Sequence, residues 1–237
     1  MFDMQDELFE KIKYTIDFVH PSDLYDEEDN AELYEDEHWN ELVEYLQADK
    51  VAWGASKVVF WFQQIKNYVI KIPLMGCYEG YEEDYVKFTN AKINPNSPYA
   101  DWDYCGAEAE VYNIVQEKYP DLAKFFAATY FIGVNKHDVP IYASRKVTEK
   151  TIWDMQEECQ ISGISRSKAA EFIETFGSCG GLTEKVISLF YEQYDEKDVD
   201  KLLNFILTYK IDDLHTGNIG IAENGKIVIM DYSGFDS

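Results

Sequence analysis

The sequence is short of positive charge, of paired cysteines and of long apolar runs, and each shortage argues against a class of function. Only 21 Lys and Arg stand against 45 Asp and Glu, a formal charge of -24. A surface this negative repels phosphate backbones and anionic membranes. Direct nucleic-acid binding is therefore not expected; a basic protein partner, or imitation of DNA towards a DNA-binding protein, suits the charge better. The four cysteines, Cys77, Cys105, Cys159 and Cys179, include no CxxC pair, and the four histidines have no HExxH spacing. Neither a zinc site nor a disulfide framework is expected. The start "MFDMQDELFEKIKYT" lacks the basic and apolar regions of a signal peptide, and no apolar stretch reaches membrane-spanning length. A reducing cytoplasm is the expected location.

What is present is apolar and aromatic. Hydrophobic residues make up 46% of the 237, and aromatics 16%, including 18 Tyr and 14 Phe. That content belongs to a chain with a packed core, either one large domain or two modest lobes. Residues 1–50 are the most acidic part, with no Lys or Arg between Pro21 and Gln47. Leu33, Trp39, Leu42, Val43 and Leu46 recur there at roughly helical spacing, which predicts an amphipathic helix with a solvated acidic face.

From Val51 the texture changes. "VAWGASKVVFWFQQIKNYVIKIPL" predicts paired strands around the turn-like "QIKN". An irregular insertion follows near 76–103, then a helix in "GAEAEVYNIVQEKYPDLAKFF" and two strands joined at "NKHD". Past Val147 the pattern turns helical. Ser165 is the expected cap of "RSKAAEFIETF" and Gly177 its stop, and two further amphipathic runs lead to the hairpin "NIGIAENGKIVIMDY". The organisation expected is an acidic helical extension (1–50), a strand-rich lobe (51–147) and a helical lobe (148–237).

Three polar residues near the end are spaced as phosphate transfer requires. Asp213 precedes Asn218 by five residues, and Asp231 follows Asn218 by 13 (231 − 218). A hairpin between the last two returns an amide oxygen and a carboxylate to one place, a donor pair suited to a hard cation such as Mg²⁺. The "GSCGG" at 177–181 lacks the GK[ST] of a phosphate loop and is expected to be a flexible connection. His215 is expected to brace its loop rather than bind metal.

"DLHTGN" resembles the catalytic loop of the protein kinase-like superfamily, in the form found in aminoglycoside and choline kinase-type enzymes, and "IMDYSG" resembles the metal-binding motif that follows it. "YVIKIP" is similar to the strand that carries the family's phosphate-binding lysine, here Lys71. "AEAEVYNIV" is similar to the helix that supplies its partner glutamate, with Glu108 the choice, because Tyr112 and Val115 then lie four and seven residues on and face the core, and Glu110 the alternative. "WGASKVVFW" stands in the place of the glycine-rich loop, with Gly54 its only glycine, and "VPIYASRKV" in the place of the strand and hinge that hold adenine, around Ser144, Lys146 and Val147.

The resemblance implies an α+β, two-lobed protein kinase-like fold, with an antiparallel-sheet N-lobe and a reduced, mainly helical C-lobe. It implies ATP and Mg²⁺ as cofactors, Lys71 and Glu108 orienting phosphates, Asn218 and Asp231 holding the metal, and Asp213 receiving or orienting the attacking hydroxyl. The acceptor is an unidentified small molecule or protein. Two rival readings stand beside it: a catalytically inactive relative whose acidic surface binds a basic partner or mimics DNA, and a half-molecule completed by a partner chain.

Overall fold

The computed structural model describes residues 10, 44, 47–53, 57–73, 103–136, 139–148 and 160–232. Most of the expected acidic extension, most of the expected insertion, and Gly54 lie outside them. The chain is a mixed α+β protein. Strands β1 (Lys50–Trp53), β2 (Lys57–Trp61), β3 (Tyr68–Pro73), β4 (Thr129–Val134) and β5 (Pro140–Arg145) form one antiparallel sheet in the order β1-β2-β3-β5-β4. Helix α1 (Tyr104–Lys118) lies in sequence between β3 and β4. Helices α2 (Gly163–Phe176), α3 (Glu184–Gln193) and α4 (Glu196–Thr208) precede the hairpin of β6 (Ile219–Ile221) and β7 (Ile227–Ile229). Among the described residues no helix is long and apolar enough to cross a membrane.

The chain divides into two compact units. One runs up to Glu110 and resumes at Thr129–Lys146; the other consists of Val111–Ala128 and the chain from Val147 onward. In the first unit the pairing register sorts the sheet into two unlike faces. Val58 opposes Ile72, Phe60 opposes Ile70, and Ile70 opposes Ala143. Because successive side chains alternate across a strand, this face is apolar. The opposite face carries Lys57, Lys71, Tyr142, Ser144 and Thr129, since Lys71 opposes Tyr142 and Ser144 opposes Thr129.

Helix α1 meets that polar face with a stripe at helical spacing, Cys105, Glu108 and Ala109. Cys105 and Ala109 are fully buried in one cluster with Tyr142. Asp103 begins the helix: its carbonyl accepts from Ala107 N at 3.1 Å and its Oδ1 from Gly106 N at 2.8 Å, an N-cap arrangement. The helix therefore starts two residues before Gly106, where the sequence pattern suggests it. The Tyr142 hydroxyl donates to the other oxygen, Asp103 Oδ2. These groups crowd Gly106, where a Cβ would stand 2.8 Å from Asp103 Oδ2 and 3.0 Å from the Tyr142 hydroxyl.

In the second unit α3 and α4 bury Val186, Ile187, Leu189 and Phe190, and Val199, Leu202, Leu203 and Ile206. Helix α2 is capped by Ser162, whose Oγ accepts from Ser165 N at 3.2 Å. This corrects the expectation that Ser165 is the cap: Ser165 lies in the first turn, and its hydroxyl donates to Glu192 Oε2 at 2.7 Å. Glu192 also accepts from Ser162 N, and these bonds, with the backbone one foremost, hold its carboxyl below the usual range. Gly177 ends the helix at φ 77°, as its position in the sequence suggests.

One main-chain bond and two tyrosine hydroxyls pin the hairpin. Ala127 N donates to Ile229 O at 2.7 Å, Tyr232 Oη to Ala127 O at 2.7 Å, and Tyr194 Oη to Ile227 O at 2.7 Å. Gly225, at φ 79°, closes the turn by donating to Ala222 O at 2.9 Å. Ala222 N also donates to Lys226 O at 2.9 Å, so the loop spans Glu223 to Gly225 and only its glycine is left-handed, in contrast to the two-residue Asn-Gly turn with positive φ at both positions.

Gly106→Ala tests the first unit. Alanine in an exposed helical site gains roughly 1 kcal/mol over glycine, but here the added methyl meets Asp103 and Tyr142. We expect a net loss of about 1–3 kcal/mol, read as a lower urea midpoint with unchanged slope. A gain would show that the capping carboxylate moves aside freely.

Candidate functional site

The candidate cluster of the first unit is a buried set of ions on the polar face of the sheet. Lys71 lies in β3 at a position only 6% exposed, and its Nζ donates to Glu108 Oε2 at 2.6 Å. Glu108 is fully buried. A second lysine, Lys57 at the start of β2, donates to Glu108 Oε1 at 2.5 Å. Thr129 Oγ1 donates to Glu108 Oε2 at 3.1 Å and lies 3.0 Å from Ser144 Oγ. The carboxylate thus receives three donors. A desolvated carboxylate requires partners of this kind, because an isolated buried charge is costly by many kcal/mol.

Glu108, not Glu110, is the residue that meets Lys71, and Tyr112 and Val115 are buried four and seven positions on, as its choice assumes. Ser144 is 2% exposed, and its hydroxyl is engaged by Thr129. Its backbone lies between two neighbouring strands, opposite Val69 of β3 and Thr129 of β4. Lys146 is exposed, and its N–H donates to Asn67 O at 2.9 Å.

Asp103 adds an unusual acid beside this cluster. Burial lifts its carboxyl to about 7, and the bonds from Tyr142 and Gly106 only partly offset that cost. Burial, reinforced by Asp103, pushes the Tyr142 phenol far above its ordinary range, and burial raises the Cys105 thiol.

A separate candidate cluster lies within the other unit, on the loop 211–218. Ile211 and Leu214 are buried and anchor it, whereas Asp212 and Asp213 are exposed. Asp213 adopts φ 59°, a left-handed conformation that Asp tolerates better than most residues. Its N–H bonds Asp212 Oδ1 at 2.8 Å. Asn218 Nδ2 donates to Asp213 O at 2.6 Å, which ties the two predicted residues together and leaves the amide oxygen as the other end of the group. Met230 N donates to Asn218 O at 2.9 Å, so the hairpin returns the residue before Asp231 to Asn218. Asp231 is half-buried. His215 Nδ1 accepts from Gly217 N at 3.0 Å and caps the short turn Thr216–Asn218, the bracing its position suggests.

Two supports on this side are not apparent in the sequence. The glycines at 177–181 are not a flexible connection. Gly180 and Gly181 take φ 59° and 89° in a tight turn closed by Leu182 N to Cys179 O at 2.9 Å. Gly180 O accepts Leu214 N at 2.7 Å, and a Cβ on Gly180 would collide with the Ile211 carbonyl. The turn is the rigid seat of the loop. Val147 is the second support: its side chain occupies the space that a Cβ on Gly220 would need, and Thr148 N donates to Ile221 O at 2.8 Å.

Lys57, Thr129 and Asp103 are members of the first unit's cluster that the sequence reading did not identify. The Asp103 signal was available, since an Asp just before a helical run is a capping signature. Lys57 needed the β2–β3 register, which a sequence without a two-residue turn does not fix.

The pH dependence of stability checks the acid at Asp103. Folding holds its proton to about 7, whereas its ordinary value is 3.8. Between these values the folded chain keeps a proton that the unfolded chain releases. The stabilising contribution is therefore full below pH 3.8 and is lost as pH rises through 7. Asp103→Asn removes this dependence, so its urea midpoint should gain on the wild type steadily from about pH 4 to 7 and then run parallel. Parallel curves throughout would place the carboxyl at its ordinary value. No family model, curated protein or solved structure matches this chain, and the site is defined by its own geometry.

Proposed function

We propose that the chain is an ATP- and Mg²⁺-dependent phosphotransferase of the protein kinase-like type, with a sheet lobe and a reduced helical lobe, acting on a hydroxyl of a small molecule or a protein. The observation that carries this reading is the buried Lys71–Glu108 pair at 2.6 Å. A lysine fixed by a desolvated glutamate presents a point positive charge to nucleotide phosphates with little freedom left to lose on binding. The Asn218–Asp231 neighbourhood supports it further, because an amide oxygen and a carboxylate are the hard donors that Mg²⁺ prefers.

In this reading Lys71 orients the phosphates, and Asn218 and Asp231 hold Mg²⁺. The metal, when bound, neutralises charge on the transferring group. The acceptor hydroxyl oxygen forms the new bond to the γ-phosphorus as the bond to the bridging oxygen breaks, and ADP leaves with that electron pair. Asp213, exposed on a left-handed turn, orients the hydroxyl and takes its proton. The nucleotide and an acceptor are the partners implied. The formal charge of -24 favours a second reading, an inactive relative that binds a basic partner.

Thermal melting separates the two. ATP with Mg²⁺ at 100 times its Kd stabilises the folded chain by about 2.7 kcal/mol, a shift of several degrees for a protein of this size. Asp231→Asn should abolish the part of the shift that requires Mg²⁺ and leave the ligand-free Tm in place. No shift at millimolar nucleotide, together with salt-sensitive retention of a basic protein, would favour the second reading.

A further inference from the structure

A cleft in the second unit is lined by none of the residues of the two candidate clusters. It has a volume of about 330 Å³ and lies between the end of α1, the short turn Pro120–Phe125 and the last turns of α4. That volume falls at the small end of ligand sites, which span roughly 300–1,000 Å³. Every residue that lines it belongs to one compact unit.

The apolar lining is aromatic. Phe205 is buried, and the rings of Tyr119 and Tyr209 stand 5.2 and 4.7 Å from it between centroids. Tyr119 meets Phe205 at 67° and Tyr209 at 82°. Rings that cross so steeply share little of their faces, and Tyr119 remains 38% exposed, with surface left for a further ring. The lining is also fixed in advance. Lys201 of α4 reaches Asp121 of the turn at 3.3 Å, and Lys124 of the turn reaches Asp198 of α4 at 2.5 Å. Exposed pairs contribute little stability, but these join the turn to the helix, so a ligand orders few groups as it binds.

The polar lining gives the cleft its sign. Asp121 is paired with Lys201, whereas among the described residues no carboxylate lies within ion-pair distance of Lys118. In a chain with 45 acidic and 21 basic residues, that leaves an unbalanced positive charge at the lining. The Asn204 side-chain amide makes no hydrogen bond among the described residues either. An ammonium and an amide N–H together suit a carboxylate, which accepts at both oxygens.

We propose that this cleft binds a small aromatic carboxylate, its ring against Tyr119 and Phe205 and its carboxylate on Lys118 and Asn204. The site is independent of the phosphotransferase reading. Ligand-observed NMR titration of the full chain tests it with three probes of similar shape: phenylacetate, phenylacetamide and phenethylamine. Phenylacetate should bind saturably in the millimolar range, as so small a ligand allows. The neutral amide should bind about fivefold more weakly, because it lacks the charge-assisted bond, and the amine more weakly still.

Lys118→Gln should reduce phenylacetate to the affinity of the amide, Lys118→Arg should restore it, and Asn204→Ala should weaken both probes. Both positions are exposed, so the variants should fold. Lys118 also closes the last turn of α1, where a cation suits the helix end. A lower Tm in Lys118→Gln with unchanged phenylacetate affinity would confine the residue to that role and overturn the proposal. No saturation at tens of millimolar overturns it too, as does tighter binding of phenethylamine than of phenylacetate, which would mark the cleft as a cation site.

Discussion

The carboxylate of Glu108 is the constraint around which the first unit is organised. It is fully buried, so it must be surrounded by donors, and those donors come from three different strands: Lys57 from β2, Lys71 from β3 and Thr129 from β4. One side chain thereby fixes the register of the sheet relative to α1. The apolar contacts of Cys105 and Ala109 with Tyr142 are non-directional and would tolerate small slides of the helix. Hydrogen bonds of 2.5 to 3.1 Å do not. Asp103 adds a second fixed point one turn earlier, where it caps α1 and receives the Tyr142 hydroxyl.

In the second unit the equivalent work falls to main-chain groups. The loop at 211–218 is seated by Leu214 N on Gly180 O, and the hairpin is tied to it by Met230 N on Asn218 O. Side chains contribute at the edges, through Asn218 on the Asp213 carbonyl and His215 on Gly217. The two candidate clusters thus differ in kind. One is a buried cluster of ionisable side chains, and the other is an exposed acidic loop held by backbone bonds.

Much of this was legible because it depends on local pattern. β-branched and aromatic runs marked the strands, Gly177 marked the end of α2, Asn224-Gly225 marked the hairpin turn, and Glu108 was chosen from the spacing of Tyr112 and Val115. What was not legible depends on register or on distant packing. Ser165 carries the same residue type as the true cap, Ser162, and only the fold around Glu192 distinguishes the two. The glycines at 180 and 181 read as slack, yet their lack of side chains is what lets Ile211 and Leu214 approach. The place of Lys57 depends on the pairing of β2 with β3, which brings its ammonium to the carboxylate of Glu108.

Because the 211–218 loop is seated by main-chain bonds from Leu214 to Gly180 and from Met230 to Asn218, its anchor does not depend on the identity of its exposed side chains. Asp212 and His215 instead shape its local turns, by accepting from Asp213 N and Gly217 N, so exchanging either one alters the surface of the loop and leaves its mount in place.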